Sequence, residues 1–205
     1  MVRERTSCRD FKDRYILRPD TDTLAAELAA FLIPGRPVEV DLGCGRGRFL
    51  LARARRYPDT AFIGIERITL RLRKVDTRAA NEGLTNLRLI RADALAAIRE
   101  ILPPASVSTF YLYFPDPWPK RRHHVRRLVS PDFIAGIHRT LVPGGIMHVG
   151  TDHADYFSAI EQTWHKDPRF QEVTPYTPPD EEETDFGLLF RAKGLQTYRC
   201  SFRKS

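Results

Sequence analysis

Five carboxylates stand where short apolar runs give out: Asp41, Glu66, Asp93, Asp116 and Asp152. Asp116 has the most unusual setting. It follows the apolar run Phe110–Phe114 and lies in Pro115-Asp116-Pro117-Trp118-Pro119, which continues into Lys120-Arg121-Arg122-His123-His124-Val125-Arg126-Arg127. Three alternating prolines hold φ near about −65° and remove backbone donors, so the loop is expected to be stiff and its carboxylate firmly aimed. Trp118 offers a flat face beside that carboxylate, and the basic run that follows suits phosphates. A carboxylate, an aromatic and a cationic strip hung from one buried strand point to chemistry on a nucleic-acid base.

A second group of residues suggests a nucleoside pocket. Asp41-Leu42-Gly43-Cys44-Gly45-Arg46-Gly47 is a G-x-G-x-G turn after a short strand. Gly43 and Gly45 let the chain turn sharply and let a ligand approach the backbone. Glu66, at the next strand end, is placed to accept from both hydroxyls of a ribose. Asp93 stands where a base would lie, and Ala94 is small enough to admit it. Asp41 would repel a pyrophosphate and attract an ammonium group. A ribose, an adenine and a cationic amino-acid tail occur together in S-adenosylmethionine. The plainer alternative is that each acid is an exposed loop residue or a helix cap.

The elements that must position these groups alternate. Strands are expected at Val38–Leu42, Ala61–Glu66, Asn86–Ile90, Val107–Phe114 and Ile146–Gly150, each followed by a helical pattern. Thr21-Asp22-Thr23 is expected to cap an earlier helix carrying Leu24, Leu28, Phe31 and Leu32, and Ser130-Pro131 to open a later one. Two further strands, Arg169–Thr174 and Gln196–Phe202, are expected to pair as an antiparallel hairpin with a long loop, Pro175–Gly194, and no helix between them. The fold class is therefore α/β: a doubly wound, mostly parallel seven-stranded sheet with helices on both faces. In open sheets of this kind ligands sit at the carboxyl ends of the strands, and that rule gathers the five acids on one rim. Residues 1–20 read as a flexible basic arm and 21–205 as a single domain.

Composition narrows the setting. The net charge is +7, and Lys120–Arg127 holds five Lys/Arg and no acid, so the excess is largely one patch. No apolar run approaches the roughly 20 residues of a membrane span, and the N-terminus lacks the apolar segment of a secretory signal. Cys8, Cys44 and Cys200 are scattered, which suits reduced thiols in the cytoplasm. His123 and His124 have no third partner at metal-ligand spacing and read as polar spacers, so no metal is expected.

Taken together, Asp41–Gly47, Gly64-Ile65-Glu66, Ala92-Asp93-Ala94, Phe114–Lys120 with the basic Arg121–Arg127 and Leu128, Thr151-Asp152, and Thr184-Asp185-Phe186-Gly187 through Phe190, Gly194 and Tyr198-Arg199 resemble the bacterial tRNA (guanine-N7-)-methyltransferase family, within the class I S-adenosylmethionine-dependent methyltransferases. The likeness spans roughly Val38–Phe202. It implies a Rossmann-like methyltransferase fold, with cofactor contacts from Asp41, Glu66, Asp93 and Asp116. It implies substrate contacts from Lys120, Asp152 and the segment from Thr184, with tRNA as partner to a monomer or homodimer. Two positions depart from the family pattern. Asp41 stands where Glu is common, and the pattern Thr-x-Phe/Tyr-Glu ends in Gly187, removing a carboxylate suited to guanine's N1–H and 2-amino groups.

Guanine N7 carries an in-plane lone pair and no proton, so no general base is needed and catalysis rests on positioning and electrostatics. Asp116 is expected to hold the cofactor and base together and to face the growing positive charge. Lys120 is expected to donate to O6 or to anchor a phosphate, and Arg121, Arg122, Arg126 and Arg127 to bind the RNA backbone. Trp118 either stacks on a base or plugs the sheet edge. Two alternatives stand beside this reading: a methyltransferase with another substrate, and a catalytically silent RNA-binding module.

Overall fold

The computed structural model describes residues 13–19 and 23–205. Residues 1–12 and 20 of the expected arm and the Thr21-Asp22 part of the expected cap lie outside the described residues. Eight strands form one sheet in the order β1-β4-β3-β2-β5-β6-β8-β7. They are β1 Ile16–Leu17, β2 Val38–Leu42, β3 Ala61–Ile65, β4 Leu87–Ile90, β5 Val107–Tyr113, β6 Leu141–Thr151, β7 Phe170–Val173 and β8 Tyr198–Lys204. All pairings from β1 to β6 are parallel, and only β8 runs antiparallel to its neighbours β6 and β7.

The helices are α1 Leu24–Phe31, α2 Arg48–Arg56, α3 Thr69–Asn81, α4 Ala94–Ala96, α5 Pro131–Thr140, α6 Ala154–His165 and α7 Asp185–Ala192. A wider π turn, Ala97–Ile101, extends α4. On one sheet face α5 and α6 bury Phe133, Ile137, Tyr156, Ile160 and Trp164 against Phe110, Leu112, Val149 and Phe202. On the other, α2 and α3 bury Leu50, Leu51, Leu72 and Val75 against Phe62, Leu87 and Leu89. Gly64 is what lets α2 settle on β3, because a Cβ there would collide with Leu50. None of the helices formed by the described residues is long and apolar enough to cross a membrane.

Two expectations are corrected. The sheet has eight strands rather than seven, because Ile16–Leu17 adds a short parallel edge strand beside β4. The Asp76 carboxylate on α3 fastens that segment, accepting from the backbone N–H of Tyr15 at 2.7 Å and of Arg14 at 3.1 Å. A two-residue strand has no periodicity to read, so its pairing was invisible in the sequence. The connection between β7 and β8 is also not free of helix, since α7 occupies part of it. Thr184 caps α7 by accepting from Gly187 N at 2.9 Å.

Candidate active site

The parallel register sets the acids in place. Asp41 pairs with Gly64 and Leu42 with Ile65, so β2 and β3 end level and Asp41 and Glu66 emerge side by side. Both are buried, at 6% and 5% exposure. Burial, then the charge of Glu66, pushes the Asp41 carboxyl up to about 7. Glu66 accepts from Ile68 N at 2.9 Å, and its other oxygen has only a 3.4 Å approach from Arg71. Two buried carboxylates this close form a site that favours a cation.

The turn above them is open. Gly43 and Gly45 have φ of +81° and +56°, and a Cβ built on Gly43 would meet nothing within 4 Å. Gly47, at φ +71°, is the N-cap of α2, and a Cβ there would meet the Val75 side chain at 2.7 Å. A clear backbone cradle over two buried acids fits an adenosyl ligand with a cationic tail. Asp93, by contrast, is exposed and caps α4, accepting from Leu95 N at 2.9 Å. Capping engages one of its oxygens, and Ala94 behind it is half-buried.

β5 ends in the proline loop, which is bracketed by two left-handed residues, Phe114 at φ +53° and Trp118 at φ +44°. Bulky residues in that region cost about 1–3 kcal/mol each and persist only where surroundings hold them. Phe114 is held by its N–H donating to Gly150 O at 2.7 Å. Trp118 lies under the Arg126 guanidinium at 5.0 Å and edge-on to His123 at 5.9 Å. Asp116 is exposed, and its carboxylate makes no hydrogen bond or ion pair with the described residues.

The basic run forms a single 3-10 stretch, Arg121–Arg126. Lys120, Arg121, Arg122 and Arg126 are exposed. Arg127 differs from them. It turns inward, donates to Pro117 O at 2.9 Å, pairs with Asp155 at 2.5 Å and lies over Tyr156 at 4.8 Å. Its side chain is only 8% exposed, so it braces the proline loop and is not presented to a phosphate.

On the neighbouring strand Asp152 is exposed just beyond β6. Thr184 and Gly187 open α7, where Phe186 is exposed and stacks toward Phe190 and Phe114. Glu183, immediately before them, is buried, accepting from Arg199 at 2.8 Å, Arg191 at 3.3 Å and Thr184 N at 2.9 Å.

Comparison with known proteins places this arrangement. A methyltransferase family model matches residues 35–200. A tRNA (guanine-N(7)-)-methyltransferase of Halorhodospira halophila is 36% identical over 174 residues, covering 82% of this chain and 74% of the relative. The chain belongs to this methyltransferase family. A relative of the same name from Mycobacterium avium is 38% identical over 142 residues, 69% of this chain and 55% of its own length. The matched region spans little more than half the length of several such relatives. Solved structures share the fold: the antibiotic-resistance methyltransferase Kmr at TM-score 0.64 and 21% identity, covering 87% of this chain and 92% of that one, and the 16S rRNA methyltransferase KamB at TM-score 0.68 and 19% identity, covering 88% and 93%.

As a member of this family the chain also contains a network that motif reading missed. Arg53 on α2 grips Glu39 with two bonds of 2.7 and 2.9 Å, and donates to Glu182 at 2.8 Å and to Tyr176 Oη at 3.0 Å. Tyr111 donates to the same Glu39 at 3.1 Å. His148 stacks on Tyr111, and burial, then Arg53, holds its imidazole down to about 4. These side chains tie the segment before α7 to the sheet. Their only sequence signal was charge inside apolar patterns, at Glu39 in β2 and Arg53 in α2.

Proposed function

We propose that this protein transfers a methyl group from S-adenosylmethionine to N7 of a guanine in tRNA, in the cytoplasm and as a monomer or homodimer. The observation that carries this reading is the buried Asp41–Glu66 pair under an open glycine turn, with exposed Asp116 and the exposed Lys120, Arg121, Arg122 and Arg126 on the same rim. The names of its relatives support the choice of base and RNA.

The cofactor would supply an electrophilic methyl on a sulfonium. Asp41 would hold its ammonium, Glu66 its ribose hydroxyls, and Asp93 with Ala94 its base. Lys120, Arg121, Arg122 and Arg126 bind phosphates, while Thr184, Asp152 and the start of α7 form the wall against which the guanine is placed. N7 has no proton to remove, so these residues act by alignment. Asp116, free of partners among the described residues, is placed to offset the positive charge that grows on the imidazole ring.

One observation favours a second reading. Gly187 lacks the family carboxylate, and the nearby Glu183 is held by two arginines, so another RNA base could be the target. Mass spectrometry of nucleosides from unmodified tRNA, incubated with protein and S-adenosylmethionine, distinguishes these. 7-Methylguanosine is expected. A different methylated nucleoside would replace the guanine-N7 reading with the second, and none at all would defeat both.

A further inference from the structure

Tyr113, Gly150 and Arg199 form one cross-strand row at the carboxyl edge of the sheet. Tyr113 pairs with Gly150, and Gly150 pairs with Arg199. Paired positions in adjacent strands project to the same face. Gly150 gives the two outer side chains their space: a Cβ there would meet Tyr113 Cδ1 at 2.9 Å and Arg199 Nη1 at 3.4 Å. The guanidinium lies over the phenol ring, 5.4 Å from its centre, and Phe49 closes the other side edge-on at 5.1 Å.

Two donors in this row are left over. Tyr113 Oη and Arg199 Nη1 are buried with no hydrogen-bond partner among the described residues. Tyr113 is 8% exposed, and burial pushes its phenol well above the ordinary range, so it remains a neutral donor. Buried donors left unmade are costly, and the setting is one where a ligand oxygen would complete them. Arg199 brings a positive charge to the row. Arg199 pairs with Glu183, Arg191 pairs with both Glu183 and Asp180, and Arg48 donates to Glu183 O at 3.0 Å. Asp41, paired with Tyr111 one row earlier, projects from the same face as Tyr113. The face thus carries a buried acid on β2 and two donors, on β5 and β8, without partners among the described residues.

We propose that Tyr113 and Arg199 form the subsite for the carboxylate of the cofactor's amino-acid tail, whose ammonium is held by Asp41. The subsite rests on the cofactor reading above and goes beyond the glycine turn and strand-end acids that define it. No residue from the proline loop or the basic strip takes part.

Calorimetry with two ligands tests it. S-Adenosylhomocysteine carries the amino-acid tail, and 5′-methylthioadenosine keeps the nucleoside and thioether without it. Tyr113→Phe, which removes one oxygen and keeps the packing, is expected to weaken S-adenosylhomocysteine about tenfold and to leave methylthioadenosine unchanged. Arg199→Gln is expected to do the same more strongly. Unchanged S-adenosylhomocysteine affinity in Tyr113→Phe overturns the subsite, as does equal weakening of both ligands. A raised KM for tRNA with cofactor affinity intact also overturns it, by assigning the donors to the target base. Failure of the unaltered protein to bind S-adenosylhomocysteine would instead defeat the cofactor reading itself.

Discussion

The Glu183 carboxylate occupies the space that a side chain on Gly187 would need: a Cβ built at 187 falls on it. The glycine that departs from the family pattern and the buried glutamate four residues before it are thus one structural choice. Arg199 and Arg191 then hold that carboxylate in place.

It follows that restoring the family residue by itself should fail. Gly187→Glu is expected to lower the melting temperature by several degrees and to reduce methylation, because a second carboxylate is forced against a buried one. The double change Glu183→Ala, Gly187→Glu is expected to recover stability relative to the single variant. Thermal melts of the three proteins decide this, and a Gly187→Glu protein as stable as the parent would refute the coupling.

Asp41 makes the ligand-free protein pH-sensitive. An ordinary aspartate gives up its proton near 3.8, whereas the folded chain keeps it up to about 7. Between those values the folded state binds more protons than the unfolded state, so this group's contribution to stability falls as pH rises and is level above 7. Binding an ammonium requires the charged carboxylate. Affinity for S-adenosylhomocysteine is therefore expected to drop as pH is lowered below about 7, with proton release on binding, measured by calorimetry in buffers of different ionisation enthalpy. Asp41→Asn should abolish binding yet raise the ligand-free melting temperature by about 2–4 °C at neutral pH. An affinity that is flat across this range would contradict the ammonium assignment.

Asp116 separates catalysis from stability. Exposed and without a partner among the described residues, it contributes little to the fold. Asp116→Asn is expected to slow single-turnover methylation about 100-fold while moving the melting temperature by less than about 1 °C. The reverse pattern, a lower melting temperature at an unchanged rate, would make it a turn residue only.

The basic run divides into two kinds of arginine. The pair Arg121→Ala, Arg122→Ala should weaken tRNA binding and reduce the salt dependence, log affinity against log salt, by about 1.5 in slope, with stability unchanged. Arg127→Ala should lower the melting temperature by about 3–6 °C through lost contacts to Pro117 O, Asp155 and Tyr156. An Arg127 variant that melts normally but loses the same salt slope would return this residue to the RNA-binding surface.

Strand ends, the glycine turn and the proline loop were legible because each is written in adjacent residues. Apolar runs stop at Asp41, Glu66 and Asp152, and glycine and proline restrict the backbone without outside help. The α/β order followed from the same local patterns, and with it the placing of the acids on one rim. Local patterns could not show that Arg127 turns inward while Arg126 lies over Trp118, since both are arginines in one basic run. Nor could they pair Arg53 with Glu39 and Glu182, Glu183 with Arg199, or Tyr113 with Arg199 across Gly150. Those partnerships join residues far apart in the chain, and burial decides their meaning: the same carboxyl is a solvated surface group at Asp116 and, at Asp41, a buried acid that keeps its proton up to about 7. Local sequence sets which groups are available, whereas only the assembled sheet determines which of them lose their water and whom they meet when they do.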